Sequence, residues 1–187
     1  MYYGLVYFPE NCCREIEQIR KKYDPTFDLI KPHITVMFPV PGSVGEEHIK
    51  QHIKNVLVRW KSFAICTGGL KRSWDNRLLL TLKDGNEKVI ELYRDIYSGL
   101  LSRYCRNDIE FIPHLSLGLF IKDVSEYTLK DPQKVEFDKE KFDKVYSKAS
   151  TLDLTFERTI DKLYLLKLND NFSQISTDSV FPFGSDQ

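Results

Sequence analysis

A five-residue pattern occurs twice in this chain and constrains its fold more than any other sequence feature. Residues 32–36 read Pro-His-Ile-Thr-Val and residues 113–117 read Pro-His-Leu-Ser-Leu, which places His33 and His114 81 residues apart. A proline followed by aliphatic and β-branched residues favours extended backbone. In each case a stretch with helical spacing of apolar residues comes before the histidine strand. The repeat therefore predicts two halves that are built alike.

Strand geometry gives this repeat a chemical meaning. Side chains at positions i and i+2 of a strand point to the same face, and the residues between them point to the other face. His33 should therefore share a face with Thr35, and His114 with Ser116, while the aliphatic residues anchor the core. If a pseudo-twofold axis relates the two halves, both histidine–hydroxyl pairs converge on one cleft.

Two imidazoles and two hydroxyls facing one cleft suit phosphodiester chemistry. An imidazole titrates near neutral pH, so one histidine can act as general base while the other acts as general acid. The hydroxyls of Thr35 and Ser116 can donate hydrogen bonds to the non-bridging phosphate oxygens. A single histidine in an apolar strand is more often structural, but the duplication favours a functional pair. We expect a bell-shaped rate profile near neutrality that is insensitive to chelators.

Apolar periodicity predicts alternating helices and strands along the chain. The predicted helices are 13–23, 46–58, 87–104 and 139–148, and the predicted strands are 3–8, 31–38, 63–67, 77–82, 111–120, 152–156 and 162–168. We expect 63–67 to pair with 77–82, and 152–156 to pair with 162–168. The polar tail after residue 168 is expected to pack on the body without being an independent element.

The length of 187 residues suits a single domain, with 42% hydrophobic and 13% aromatic residues to build its core. We divide it into lobe-forming halves, residues 1–85 and 86–168, and a C-terminal extension, residues 169–187. Lys plus Arg and Asp plus Glu number 27 each, so the chain lacks the basic excess that attracts long duplex nucleic acid. Any nucleic-acid substrate is therefore expected to be short or only a chain end, and the expected state is a monomer.

The location is predicted from what the sequence lacks. The first residues have no basic n-region, and no stretch approaches the roughly 18 apolar residues that span a bilayer. The four cysteines have no zinc-like spacing and no dense framework, so we expect reduced thiols; they are Cys12, Cys13, Cys66 and Cys105. We therefore expect a cytoplasmic protein without a membrane partner.

The two motifs, H-x-T-x at His33 and H-x-S-x at His114, resemble those of the 2H phosphoesterase superfamily, which includes the 2′-5′ RNA ligase-like proteins. The resemblance covers roughly Tyr3 to Leu168. It extends to the opening YGLVYFP and the closing strand KLYLLKL, which are much less specific than the histidine motifs. Serine in the second motif keeps the hydroxyl and loses only a methyl group.

The resemblance implies an α+β, bilobal fold, with two pseudo-symmetric antiparallel sheets and flanking helices around a central cleft. It also implies a metal-independent enzyme without a cofactor, acting on 2′,3′-cyclic phosphates, 2′-5′ linkages or related nucleotide phosphodiesters. The expected partner is therefore a short RNA end or a small nucleotide phosphodiester. By matching position, His33, Thr35, His114 and Ser116 are the catalytic residues. The same acid and base could also join RNA ends through a 2′-5′ bond. A non-catalytic nucleotide or RNA-end binding module is the alternative from another class.

Two further sets of residues carry groups that could bind a substrate or a metal ion. Residues 71–77 combine cations with an indole, so Arg72, Trp74 and Arg77 are candidates for substrate binding, although an ordinary surface loop is equally compatible. His48 and His52 have an i, i+4 spacing that can bind zinc. No third ligand is evident beside them, so we predict no metal site.

Overall fold

The computed structural model describes residues 1–123 and 135–184, and these form one curled antiparallel sheet with helices packed against it. The eight strands of the sheet are β1 (Tyr2–Tyr7), β2 (Ile34–Pro41), β3 (Phe63–Arg72), β4 (Arg77–Asp84), β5 (His114–Leu119), β6 (Glu157–Ile160), β7 (Lys162–Leu168) and β8 (Ile175–Pro182). The α+β class, the antiparallel strands and the flanking helices are confirmed.

Four α-helices lie where the apolar periodicity predicts them. They are α1 (Arg14–Tyr23), α2 (Glu46–Leu57), α3 (Asn86–Ile96) and α4 (Lys139–Ala149). The third predicted helix is too long at its C-terminal end. α3 stops at Ile96, and Gly99, with a φ of +53°, begins a separate 3-10 turn, Gly99–Tyr104. No helix in the described parts of the chain combines the length and apolarity that crossing a membrane requires.

The strand order is β6-β3-β4-β5-β2-β1-β7-β8, so the two histidine strands, β5 and β2, are the central neighbours. They are joined by one residue pair, Ile34 with Leu115. Four strands lie on each side of this junction. Each side combines strands from both parts of the sequence, so residues 1–85 do not by themselves form one half of the sheet.

The main core lies on the face of the sheet that carries the aliphatic motif residues. Ile34, Val36, Leu115 and Leu117 are fully buried there. Each helix contributes an apolar stripe to the same core: Ile16 from α1; Ile49, Ile53, Val56 and Leu57 from α2; Val89, Leu92, Tyr93 and Ile96 from α3; Phe142, Val145 and Ala149 from α4. Burial of these stripes stabilises the two histidine strands on the core face of the sheet.

Two strand predictions are wrong. The apolar segment 152–156 is not a strand; the strand follows it as β6 (Glu157–Ile160), which pairs with β3 and not with β7. The tail is not merely packed on the body, because β8 (Ile175–Pro182) pairs with β7 along its length. Both strands lie at an edge of the sheet, where backbone hydrogen bonds can hold a polar sequence in place. Part of the predicted polar connection, residues 124–134, lies outside the described residues.

Candidate active site

The two histidine–hydroxyl pairs lie on the sheet face opposite the main core. Around the junction of Ile34 with Leu115, these two side chains are buried on the core side. His33, Thr35, His114 and Ser116 alternate with them and are half-buried on the other side. Because β2 and β5 are neighbours at this point, the structure brings the four residues together on one face, and part of each reaches solvent.

The two imidazoles are oriented in the same way. Nδ1 of His33 lies 2.9 Å from the carbonyl oxygen of Lys31, and Nδ1 of His114 lies 2.6 Å from that of Ile112. A carbonyl oxygen can only accept, so each Nδ1 carries the hydrogen that it donates. In the neutral ring Nε2 is then unprotonated. Both histidines therefore present Nε2 as the atom that can take up or release a proton.

Arg77, at the start of β4, connects the second motif to a carboxylate. Its Nη1 donates to Oγ of Ser116 at 3.2 Å, and its Nε donates to Oδ2 of Asp75 at 3.2 Å. Arg77 is 9% exposed. With Oγ of Ser116 accepting from arginine, the hydroxyl hydrogen remains available for another acceptor.

A buried ion cluster links the two motifs. Arg20 of α1 pairs with Asp24 at 2.9 Å, and Asp24 lies 3.8 Å from Nη1 of Arg77. The same Arg20 donates to the carbonyl oxygen of Ile30 at 2.8 Å, shortly before His33. Arg20 and Asp24 are 1% and 6% exposed. The cluster therefore runs from the segment before the first histidine to the hydroxyl of the second motif.

Close packing of α1 on β5 puts this cluster in place. A Cβ added at Gly118 would lie 2.7 Å from Cβ of Tyr23 and 3.1 Å from its carbonyl oxygen. Only a residue without a side chain allows the helix end to approach this near. Asp24, which directly follows α1, is thereby held beside the histidine strands.

The surroundings lower the pKa of both histidines from the ordinary value of 6.5. Burial is the main cause at His33, and the positive charges of Arg20 and His114 add to it, so its pKa falls to about 4. Burial also lowers the pKa of His114, with a contribution from Arg77. The hydrogen bonds to Lys31 and Ile112 act in the opposite direction. Both rings are therefore mainly neutral at neutral pH in the free protein.

The three candidates from residues 71–77 have different surroundings. Arg77 contacts the second motif, as described above. Arg72 donates to Oδ1 of Asn76 at 2.9 Å, and its guanidinium lies 3.5 Å from the ring centre of Phe137. Trp74 is 44% exposed in the turn between β3 and β4. Their roles in substrate binding remain predictions, and the contact with Ser116 distinguishes Arg77 from the other two.

His48 and His52 each have a backbone partner. Nε2 of His52 lies 2.8 Å from the carbonyl oxygen of Ile96, and Nδ1 of His48 lies 3.4 Å from that of Val44. Within residues 1–123 and 135–184, no three His, Cys, Asp or Glu side chains form a group that could hold a metal ion. His48 thus contacts a carbonyl just before α2, and His52, in the middle of α2, contacts the carbonyl of the last residue of α3.

Arg20 and Asp24 are not among the site residues that the sequence predicts, although the sequence carries a signal for both. Arg20 lies on the apolar side of α1 with Ile16 and Ile19, where a charged group requires a buried partner. An acidic residue four positions later supplies it. The sequence carries no signal for the contact between Asp24 and Arg77, because these two residues are far apart in the chain.

A family model and a related protein each match most of this chain. A family model described as the 2′-5′ RNA ligase superfamily matches residues 8–171. A protein of Geobacillus thermodenitrificans named "Putative phosphoesterase" is 26% identical over 176 residues, which cover 92% of this chain and 91% of that protein.

Solved structures share the fold. The crystal structure of Escherichia coli LigT complexed with 3′-AMP superposes with a TM-score of 0.58 at 12% identity, over 97% of both chains. Kluyveromyces marxianus Usb1 with uridine monophosphate superposes with a TM-score of 0.50 at 13% identity, over 97% of this chain and 98% of that one. At this identity the likeness shows the fold alone.

Proposed function

Since this chain belongs to the 2′-5′ RNA ligase superfamily, we propose that it is a metal-independent phosphodiesterase. It hydrolyses 2′,3′-cyclic or 2′-5′ phosphodiester bonds at RNA ends or in small nucleotides. His33 and His114 exchange protons with the reacting oxygens, and Thr35 and Ser116 bind the non-bridging oxygens. The likeness to LigT and Usb1, which were crystallised with 3′-AMP and uridine monophosphate, supports a nucleotide as the substrate class.

One observation carries the proposal: both imidazoles donate from Nδ1 to a carbonyl two residues earlier in the chain. This hydrogen bond fixes the orientation and the tautomer of each ring. In both neutral rings the unprotonated nitrogen is therefore Nε2, the atom that takes part in proton transfer. Two lone structural histidines have no reason to share this arrangement on one sheet face. An acid–base couple requires it, because proton transfer depends on a fixed distance and direction.

The reaction needs one neutral and one protonated imidazole. The neutral ring removes a proton from the attacking water as the new P–O bond forms. The protonated ring delivers its proton to the leaving 2′ or 3′ oxygen as the old P–O bond breaks. Thr35 and Ser116 donate hydrogen bonds as negative charge shifts onto the non-bridging oxygens. Arg77 is a positioning residue, since its donation to Oγ of Ser116 directs the serine hydrogen towards the phosphate.

We expect kcat/KM to reach its maximum below pH 6.5. The singly protonated pair is most populated between the two pKa values, whichever histidine is the base. Both pKa values lie below 6.5, and that of His33 is about 4. Activity should rise as pH increases through the lower pKa and fall as it passes the higher one. A bound phosphate anion favours the charged ring, so the kcat profile should lie at higher pH than that of kcat/KM.

Initial rates between pH 4 and 9 at constant ionic strength would check this expectation. The sequence alone predicts a maximum near neutrality, whereas burial of the two rings predicts a maximum on the acidic side. A kcat/KM maximum at pH 7 or above would contradict the lowered pKa values of the two histidines in the free protein.

Turnover of a small substrate panel tests the proposed function. The panel contains nucleoside 2′,3′-cyclic monophosphates, a short RNA ending in a cyclic phosphate, and a 2′-5′ oligoadenylate, all measured in EDTA. We expect hydrolysis of at least one cyclic or 2′-5′ bond, because the proton transfers need no metal. Tight binding of a panel member without any turnover would favour the nucleotide-binding module. Turnover that appears only when the panel is repeated without EDTA would exclude the metal-independent mechanism.

A further inference from the structure

An open cavity of about 650 Å³ lies beside the His33 motif. This volume is in the range of sites that hold small molecules. Its walls come from residues 8–12 between β1 and α1, Glu17 in α1, the segment 29–32 that leads to His33, and strands β7 and β8. Lys31 and Pro32 belong to this lining, so the cavity begins where the first motif begins.

The cavity shares a sheet face with the candidate catalytic residues. Val6 pairs with Thr35 on one side and with Tyr164 on the other, which puts these three residues on the same face. Phe8, two positions after Val6, points the same way. Its ring centre lies 6.2 Å from that of His33 and 5.1 Å from that of Tyr164, with edge-to-face geometry in both contacts. A continuous surface therefore leads from His33 through Phe8 to Tyr164.

The lining of the cavity suits an uncharged, aromatic group. Phe8, Tyr164 and Ile30 are half-buried, and Leu29 is 37% exposed, so apolar surface faces an open space. The charged side chains that line it are Glu10, Glu17 and Lys31, which carry one net negative charge. A second phosphate would be repelled there, whereas a base can stack on aromatic rings and hydrogen-bond to the polar rim.

We propose that this cavity binds the nucleoside whose phosphate is cleaved, with its base against Phe8 and Tyr164 and its ribose directed towards His33. The proposal rests on the proposed function and deepens it. It makes the nucleoside, and not further phosphates of a longer chain, the part of the substrate that this site recognises. It also places the base away from Trp74, because Trp74 lies in the turn between β3 and β4, in the other half of the sheet.

The test compares two substrates: a nucleoside 2′,3′-cyclic monophosphate and 1-O-methylribose 2′,3′-cyclic phosphate, which lacks the base. Phe8→Ala and Tyr164→Ala should each lower kcat/KM about 5- to 100-fold for the first, because a lost stacking contact has this effect. The base-free substrate should change by less than about 3-fold. Phe8 also contacts His33, and the base-free substrate separates a role in base binding from a role in positioning that ring.

Tyr146→Ala is the matched control, since Tyr146 is an exposed tyrosine that lines a smaller cavity beside α4. It should leave both substrates unaffected. Equal losses on both substrates with Phe8→Ala and Tyr164→Ala would overturn the proposal, and so would no loss on either. A base-dependent loss in Trp74→Ala without one in Phe8→Ala would place the base at the turn.

A binding measurement keeps the test independent of turnover. Calorimetric titration with 3′-AMP should give a Kd that rises about 5- to 100-fold in Phe8→Ala and Tyr164→Ala. An unchanged Kd, or no binding to the wild-type protein, would overturn the nucleoside site. Absence of turnover with every substrate would instead count against the proposed hydrolysis, so the two failures are distinguishable.

Discussion

Replacing either motif histidine by alanine is expected to lower kcat about 10²- to 10⁴-fold on the substrate that the panel identifies. Each of His33→Ala and His114→Ala removes one partner of a proton-transfer pair. In both rings the hydrogen bond from Nδ1 to a backbone carbonyl leaves Nε2 as the atom that transfers the proton. The double variant should be only slightly slower than either single variant, because residues that act as a unit have non-additive effects. Steady-state and single-turnover rates of the three variants would check this.

A surface histidine of α2 provides the control for these variants. His48→Ala removes an exposed imidazole whose nearest partner is the carbonyl oxygen of Val44, and it should leave kcat unchanged. Far-UV circular dichroism and the unfolding midpoint of every variant would exclude loss of the fold. Near-normal kcat in His33→Ala or His114→Ala would refute the two-histidine mechanism.

The second large effect concerns stability. Asp24→Ala is expected to lower the free energy of unfolding by about 3–5 kcal/mol, the usual effect of removing one partner of a buried ion pair. Asp24 pairs with Arg20, lies 3.8 Å from Arg77, and also accepts hydrogen bonds from the backbone and hydroxyl of Thr26. Its removal leaves two buried guanidinium groups without this carboxylate. Urea denaturation at neutral pH would measure the loss.

Two comparisons make the stability prediction specific. Asp75→Ala removes a carboxylate that is more exposed than Asp24, and it should cost about 1 kcal/mol or less. Replacing Arg20 and Asp24 together, by Met and Leu, should recover part of the loss, since the Arg20 charge is removed with its partner and Arg77 keeps its ion pair with Asp75. A change below about 1 kcal/mol in Asp24→Ala would show that the cluster does not stabilise this fold.

Part of the fold could be predicted because it is encoded locally. The helical spacing of apolar residues located all four α-helices of the described residues, and the alternating aliphatic residues after each Pro-His pair located the histidine strands. The prediction failed where local signals and tertiary pairing differ. Three of the four residues of β6 and four of the eight residues of β8 are polar, and the strand structure of both comes from backbone hydrogen bonds to β3 and β7. The apolar segment 152–156 contributes Leu154 and Phe156 to the core without joining the sheet.

The sequence by itself determined the arrangement of residues on which the proposed chemistry depends. A strand has a period of two, so each histidine and its hydroxyl neighbour had to share a face, and the repeat predicted that the two pairs would meet. Only the tertiary structure decided what surrounds them. Arg77 beside Ser116, Asp24 beside Arg77, and Tyr164 beside Phe8 are contacts between residues far apart in the chain. The lowered pKa values likewise come from burial, which depends on packing of the whole chain and has no local sequence pattern.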